Sequence, residues 1–273
     1  MTLKKHFLRH TMATVAVIST LSALPAAADT FSGHTFNLTG TATMVGSDLQ
    51  LTSLEEQSGA AWLTSPLSTS NSFSASFSFS LSALHHNATT GDDLDDMADG
   101  ITLTLQNLGT SALGQGGGNV GYTNQDSVGS IIQTWDNNRV GLNTNGELFD
   151  IDGHPTTKPA PPLTLPDTTL GRATLVTGSQ TITYNASTSL LSMVGTLTVD
   201  GNLYNVSDTA TIDLSSKFGP IMYLGFTGGT GLGLADQRIT SFSIAAVPEP
   251  EEWAMMLMGA GMVAYQVKRK RSA

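Results

Sequence analysis

The stretch from residue 72 to 81 constrains the fold more than any other. Phe73, Ala75, Phe77, Phe79 and Leu81 alternate without a break with Ser74, Ser76, Ser78 and Ser80. Successive strand residues point to opposite faces, so period two places the apolar groups on one side and the hydroxyls on the other. This is an antiparallel strand with one buried and one wet face. Ile101-Thr102-Leu103-Thr104-Leu105 repeats the pattern and is expected to lie in the same way. Further strands are predicted at 31–38, 127–134, 139–143, 172–176, 181–184, 190–199, 209–214, 221–226 and 238–245. Asn145-Gly146, Asp152-Gly153 and Asp200-Gly201 are turn signals between them. Only 215–218 suggests a helical turn. Many strands with no long helix predict an all-β sandwich.

Two stretches read as loops. The first, 85–96, holds His85 and His86 followed by Asp92, Asp93, Asp95 and Asp96. Its carboxylates are hard oxygen donors, but the spacing lacks the central glycine of an EF-hand loop, so a solvated loop is expected. The second, 155–167, holds five prolines and cannot donate a continuous ladder.

The two ends of the chain differ from its middle. Residues 1–28 begin with Lys4, Lys5 and Arg9, continue in an apolar run from 12 to 24, and end in Ala26, Ala27 and Ala28. That is the order of a secretory signal peptide with a small-residue cleavage site. At the other end come Val247, Pro248, Glu249 and Pro250, then an apolar stretch over 253–267, then Lys268, Arg269, Lys270 and Arg271. Fifteen helical residues reach about 22 Å, a short membrane span that Trp253 and the basic stems would extend at the two interfaces. The basic cluster is expected to stay cytoplasmic, leaving the body outside the inner membrane.

Seven of the 12 basic residues lie in those two ends, so the 219 residues from Asp29 to Val247 carry five basic and 19 acidic groups, a net charge of −14. Such a surface repels phosphate backbones and excludes nucleic acid as a partner. The absence of cysteine excludes disulfides, zinc–thiolate sites and thiol nucleophiles. Neither a G-x-S-x-G elbow nor an H-E-x-x-H pair is present. Gly229, Gly231 and Gly233 are followed by a strand rather than a helix, so they do not form a phosphate loop. Glu147, Asp150 and Asp152 are the best catalytic candidates. In an extended segment Asp150 and Asp152 would share a face with Cα atoms about 6.7 Å apart, a pairing conceivable for glycoside hydrolysis. They run into Gly153 and the proline-rich loop, however, and solvated turn acids are the expectation. No catalytic residue is assigned.

The tripartite C-terminus, residues 247–273, resembles the PEP-CTERM sorting signal of Gram-negative bacteria. The resemblance rests on Val247-Pro248-Glu249-Pro250, Trp253-Ala254-Met255-Met256-Leu257 and the final basic cluster. It implies an exosortase as processing partner, transient anchoring in the inner membrane by a short C-terminal transmembrane helix, and delivery to the cell surface or an exopolysaccharide matrix.

The body, 29–246, is similar to the legume (L-type) lectin-like domain. The pieces in register are Gly59-Ala60-Ala61-Trp62, the 73–81 strand, Ala98-Asp99-Gly100-Ile101, the Gly116-Gly117-Gly118-Asn119-Val120-Gly121 loop, Asn137-Asn138-Arg139-Val140-Gly141-Leu142-Asn143, and the run from Leu224 to Gly231. The implied fold is a concanavalin-like jelly-roll β-sandwich, and the implied function is non-catalytic carbohydrate binding. Asp99 would accept hydrogen bonds from sugar hydroxyls, Gly117 or Gly118 would donate a backbone amide, Asn137 would contact the sugar, and Trp135 would pack on its ring. Gly229 and Gly231 would frame the other side. A carboxylate, amides and an aromatic face suit a polyol with an apolar ring face.

The metal positions depart from that family's pattern. Where the family's strand carries Glu, then Asp, then Asn, this chain has Ile131, Gln133 and Asn137; its second Asp falls at Asn138, and its His is Arg139. One neutral amide and the Trp135 carbonyl cannot supply the six to eight oxygens that calcium takes. The expectation is no metal and no other cofactor. The resemblance thus leaves two readings, a carbohydrate-binding protein associated with extracellular polysaccharide and a structural matrix or adhesion protein on a degenerate lectin scaffold; a glycoside hydrolase is a remote third.

Overall fold

The computed structural model describes residues 28–84, 97–122, 126–135, 139–144, 146, 163–164, 170 and 172–247. They form two antiparallel sheets facing one another. The front sheet contains β1 (Ala28–Phe31), β2 (His34–Gly40), β5 (Ser58–Leu63), β15 (Ile221–Gly229), β8 (Gly100–Gln106), β9 (Ser127–Gln133), β10 (Arg139–Asn143) and β11 (Leu163–Thr164) in that spatial order, with β6 (Leu67–Ser68) paired beside β15. The back sheet runs β14 (Asn202–Thr211), β13 (Leu190–Val199), β12 (Leu175–Asn185), β7 (Phe73–Ala83), β16 (Ala235–Ala246), β4 (Asp48–Thr52) and β3 (Thr43–Val45). This is the predicted two-sheet jelly roll.

β7 behaves as its alternation predicts. Phe73, Ala75, Phe77, Phe79 and Leu81 are buried, and the serines between them are half-buried on the outer face. Phe77 meets Phe226 of the front sheet edge-on at 5.3 Å between centroids, and Phe226 meets Phe242 at 5.5 Å. These tilted contacts across the sandwich add to the stabilisation from burial. The Asp200-Gly201 signal is a two-residue hairpin in which both residues have positive φ and Val199 pairs with Asn202, the turn such a dipeptide favours.

β8 departs from expectation. Its alternation predicts a wet threonine face, but every residue of the strand is buried. Thr102 Oγ1 bonds Thr104 Oγ1 at 2.5 Å and Thr227 Oγ1 at 2.7 Å, and Thr227 Oγ1 donates to the Val120 carbonyl at 2.8 Å. The connection between β8 and β9 folds back over the outer face of the front sheet. Asn37 Nδ2 donates to Thr110 O at 2.7 Å, Trp62 Nε1 to Ala112 O at 2.7 Å, and Ser58 Oγ to Gly114 O at 2.9 Å. Thr102→Val keeps the shape but strands the Thr104 hydroxyl, so urea unfolding should show a loss of about 1–2 kcal/mol. A wet-face threonine would cost under about 0.5 kcal/mol.

Other boundaries differ for local reasons. The single strand predicted over 31–38 is two strands, because Ser32 and Gly33 both take positive φ and turn the chain so that Phe31 pairs with His34. The segments predicted at 172–176 and 181–184 belong to one strand, β12. There Gly178 leaves room for the Phe79 ring, and Ser130 Oγ donates to the buried Gln180 Oε1 at 2.6 Å across the sandwich. The strand predicted at 209–214 is β14, which starts at Asn202; Asp213 then caps a helical turn, α1 (Leu214–Phe218), accepting from the Ser215 and Ser216 amides. β3 to β6 carry no alternation long enough to predict. β11, inside the proline-rich loop, pairs for only two residues with β10. The loop 85–96, the acids Glu147, Asp150 and Asp152, residues 1–27 of the predicted signal peptide 1–28, and Pro248, Glu249, Pro250 with the apolar tail lie outside the described residues, and among those described no helix is long and apolar enough to cross a membrane.

Candidate functional site

The site grows from one row across the front sheet. Ser58, Gly229, Gly100, Gln133 and Arg139 are successive cross-strand partners on β5, β15, β8, β9 and β10. Asp99 sits immediately beyond this row. Its N–H donates to Gly229 O at 2.9 Å, and its carbonyl accepts from Thr134 N at 2.9 Å. The Ala98–Asp99 peptide is cis. Gln237 Nε2, reaching across from β16, donates to Ala98 O at 3.1 Å and to Gly229 O at 2.9 Å. Backbone on both sides and a side chain from the opposite sheet therefore set the position of Asp99.

Two loops close over it. Gly117, at φ +60°, opens a 3-10 turn (Gly117–Asn119) that also contains Gly118, and its N–H donates to Thr230 O at 3.0 Å. That left-handed backbone favours glycine. Gly231 leaves its Cα side open toward the carboxylate: a Cβ there would stand 3.4 Å from Asp99 Oδ2 and 3.7 Å from Gly117 Cα. Residues 229–231 are pinned by Glu56 N to Gly231 O at 2.9 Å, Thr230 N to Gln57 O at 3.0 Å, and Gln57 N to Thr230 Oγ1 at 3.1 Å. Asp99, Gly117, Gly229 and Gly231 thus come together although up to 132 residues separate them in the chain. Trp135 is half-buried one residue beyond Thr134, and Asn137 lies outside the described residues. Val247 follows β16 (Ala235–Ala246), its N–H donating to Ser72 O at 3.0 Å.

Asp99 is only 3 % exposed, and its Oδ2 has no hydrogen-bond partner. Burial pushes its pKa up to about 7, which the nearby Gly231 amide only partly counters. The Gly231 amide serves the carboxyl, yet Oδ2 is left unbonded, which is uncommon for a buried acceptor in a folded protein. Beside exposed-edge glycine backbone it suits a ligand rich in hydroxyl donors.

Sequence reasoning missed Gln237 and Gln57. Both are ordinary polar residues near strand ends, and nothing local distinguishes them from solvated ones.

The residues at the metal positions implied by the resemblance have the wrong chemistry for a cation. Ile131 is fully buried in an apolar cluster with Val120 and Tyr122. Gln133 is neutral, buried, and faces Arg139 across the β9–β10 pair. Among the described residues no three His, Cys, Asp or Glu side chains gather. A side chain without lone pairs, a neutral amide and a guanidinium do not fit a hard divalent cation.

The fold and its loop-end site define a lectin-type sandwich. A legume lectin domain profile matches residues 28–256, and the chain belongs to the legume lectin domain family, a family of non-catalytic proteins. Solved structures agree on the fold. The lectin from Bauhinia forficata in complex with GalNAc is 20% identical with a TM-score of 0.57, over 78% of this chain and 92% of that one. Peanut lectin with a nine-residue peptide is 22% identical with a TM-score of 0.58, over 84% and 95%. A metal-free form of lectin I-B4 from Griffonia simplicifolia is 18% identical with a TM-score of 0.57, over 78% and 93%.

Proposed function

We propose that this protein is an exported, non-catalytic carbohydrate-binding protein associated with extracellular polysaccharide. In this reading residues 1–28 are the signal peptide, 29–246 the lectin domain, and 247–273 a PEP-CTERM tail. An exosortase removes the tail after transient anchoring in the inner membrane. The observation that carries the binding function is the unpartnered, buried Oδ2 of Asp99 where the Gly117 and Gly231 loops meet. Sugar hydroxyls would donate to it, loop amides would donate to sugar oxygens, and Trp135 would offer an apolar face. The Bauhinia lectin, which holds GalNAc on this fold, supports the reading. A matrix or adhesion protein without sugar binding is the second reading, favoured by Ile131 and Gln133 at positions where the family has carboxylates. An array of glycans and bacterial polysaccharides probed with the purified protein separates the two: the first expects selective binding lost on Asp99→Asn, and the second expects a blank array.

The tail is tested separately. Deleting residues 253–273 is expected to release soluble protein, because the only long apolar segment left after signal cleavage is then gone. Fractionation that still finds the truncated protein in the inner membrane would refute the sorting assignment.

A further inference from the structure

The loop carrying Gly117 has to be held against Asp99, and the means are visible on the outer face of β8 to β10. Val120, Tyr122 and Ile131 are fully buried there, in a cluster separate from the main core. The Tyr122 ring lies against Gly129, where a Cβ would come within 3.1 Å of its Cε2. Its hydroxyl donates to Asn143 Oδ1 on β10 at 3.3 Å, with Ser127 and the Gly146 backbone also in reach. Burial pushes the phenol pKa upward, so the hydroxyl stays a neutral donor. Val120, at φ +46°, closes the Gly117–Asn119 turn, its N–H donating to Gly117 O at 2.9 Å and its carbonyl accepting from Thr227.

We propose that the Val120–Tyr122–Ile131 plug holds the Gly117 loop in place beside Asp99 and that no metal takes part in holding it. Three positions argue together. Ile131 stands where the family has a glutamate, and it is the floor of the plug. Gln133 stands where the family has an aspartate, and a neutral amide leaves no net negative charge to attract a cation. Arg139, opposite Gln133, brings a fixed positive charge to the same face, since directly paired residues share a face. Apolar burial of an aromatic ring and a hydrogen bond from its hydroxyl hold the turn from its outer side, and neither needs a bound ion. This inference does not depend on sugar binding, and its test needs no sugar.

The test is thermal unfolding and amide hydrogen exchange of the full chain in EDTA, in millimolar calcium chloride and in millimolar manganese chloride. The melting temperature is expected to stay within about 1 °C across the three conditions, and exchange over 114–122 to be unchanged. Tyr122→Ala is expected to speed exchange over 114–122 by about tenfold or more, with 190–199 unaffected; Tyr122→Phe should lie between. A cation that raised the melting temperature by about 5–10 °C, the size expected for a site filled at a hundred times Kd, or that protected 114–122, would overturn the proposal. So would Tyr122→Ala with unchanged exchange. If that variant fails to fold, the wild-type metal comparison decides alone.

Discussion

Asp99→Asn is expected to lower carbohydrate affinity by about 100-fold or more while making the protein more stable at pH 8. The binding loss follows from charge. Hydrogen bonds to an ionised acceptor contribute about 1.5–3 kcal/mol each, and an amide cannot replace two of them. The stability gain follows from burial. The folded pKa of Asp99 is about 7, against an ordinary value of 3.8. Below pH 4 both folded and unfolded states hold the proton, and the contribution is fully present. Between pH 4 and 7 the unfolded chain releases the proton while the folded one keeps it, so stability falls as pH rises. The loss is at most about 4 kcal/mol, complete once pH passes 7. The asparagine variant lacks this dependence. Urea unfolding at pH 4, 6 and 8 should show wild type and variant converging at pH 4 and separating toward pH 8. A separation that does not change with pH would mean that Asp99 is not buried as described. Sugar affinity should move in the opposite direction and rise toward pH 7, as the ionised acceptor becomes available. In the proposed function the same buried oxygen that lowers stability is the one that accepts from sugar hydroxyls.

Phe77→Ser should cost about 4 kcal/mol, measured by urea unfolding at pH 7. Phe77 is 2 % exposed, 5.3 Å from Phe226 and 6.0 Å from Phe79 between ring centroids. Its removal leaves a cavity between the sheets and adds a hydroxyl with no partner there. Ser78→Ala, one residue on and facing outward beside Ser179, should stay within about 0.5 kcal/mol. Equal effects at the two positions would mean that the strand does not present the faces described.

Much of the sandwich was legible in the sequence because its signals are local. β7 shows its two faces by composition alone, β10 and β13 have the predicted bounds, and Asp200-Gly201 forms the hairpin that such a pair favours. β8 shows where that legibility stops. Its threonines alternate as a wet face would, yet they are buried, because periodicity separates the two faces of a strand without saying what covers them. The covering loop is joined to Trp62, Ser58 and Asn37, which lie 50 to 73 residues away in the chain.

The site divides in the same way. Ala98-Asp99-Gly100, the Gly117 loop and the Gly229–Gly231 run could be picked out through a family resemblance, with each piece weak alone. The approach of Asp99 Oδ2 to Gly231, the Gln237 brace from the opposite sheet and the packing of Tyr122 on Gly129 and Ile131 are contacts between segments far apart in the chain. The sequence by itself determined the class of fold, the strand faces and the chemical character of the metal positions, because each depends on side-chain type and short-range spacing. Only the tertiary structure decided that Asp99 is buried with its Oδ2 unbonded and that Val120, Tyr122 and Ile131 cluster together next to the Gly117 turn, because burial and hydrogen-bond satisfaction depend on what the rest of the chain brings to that place.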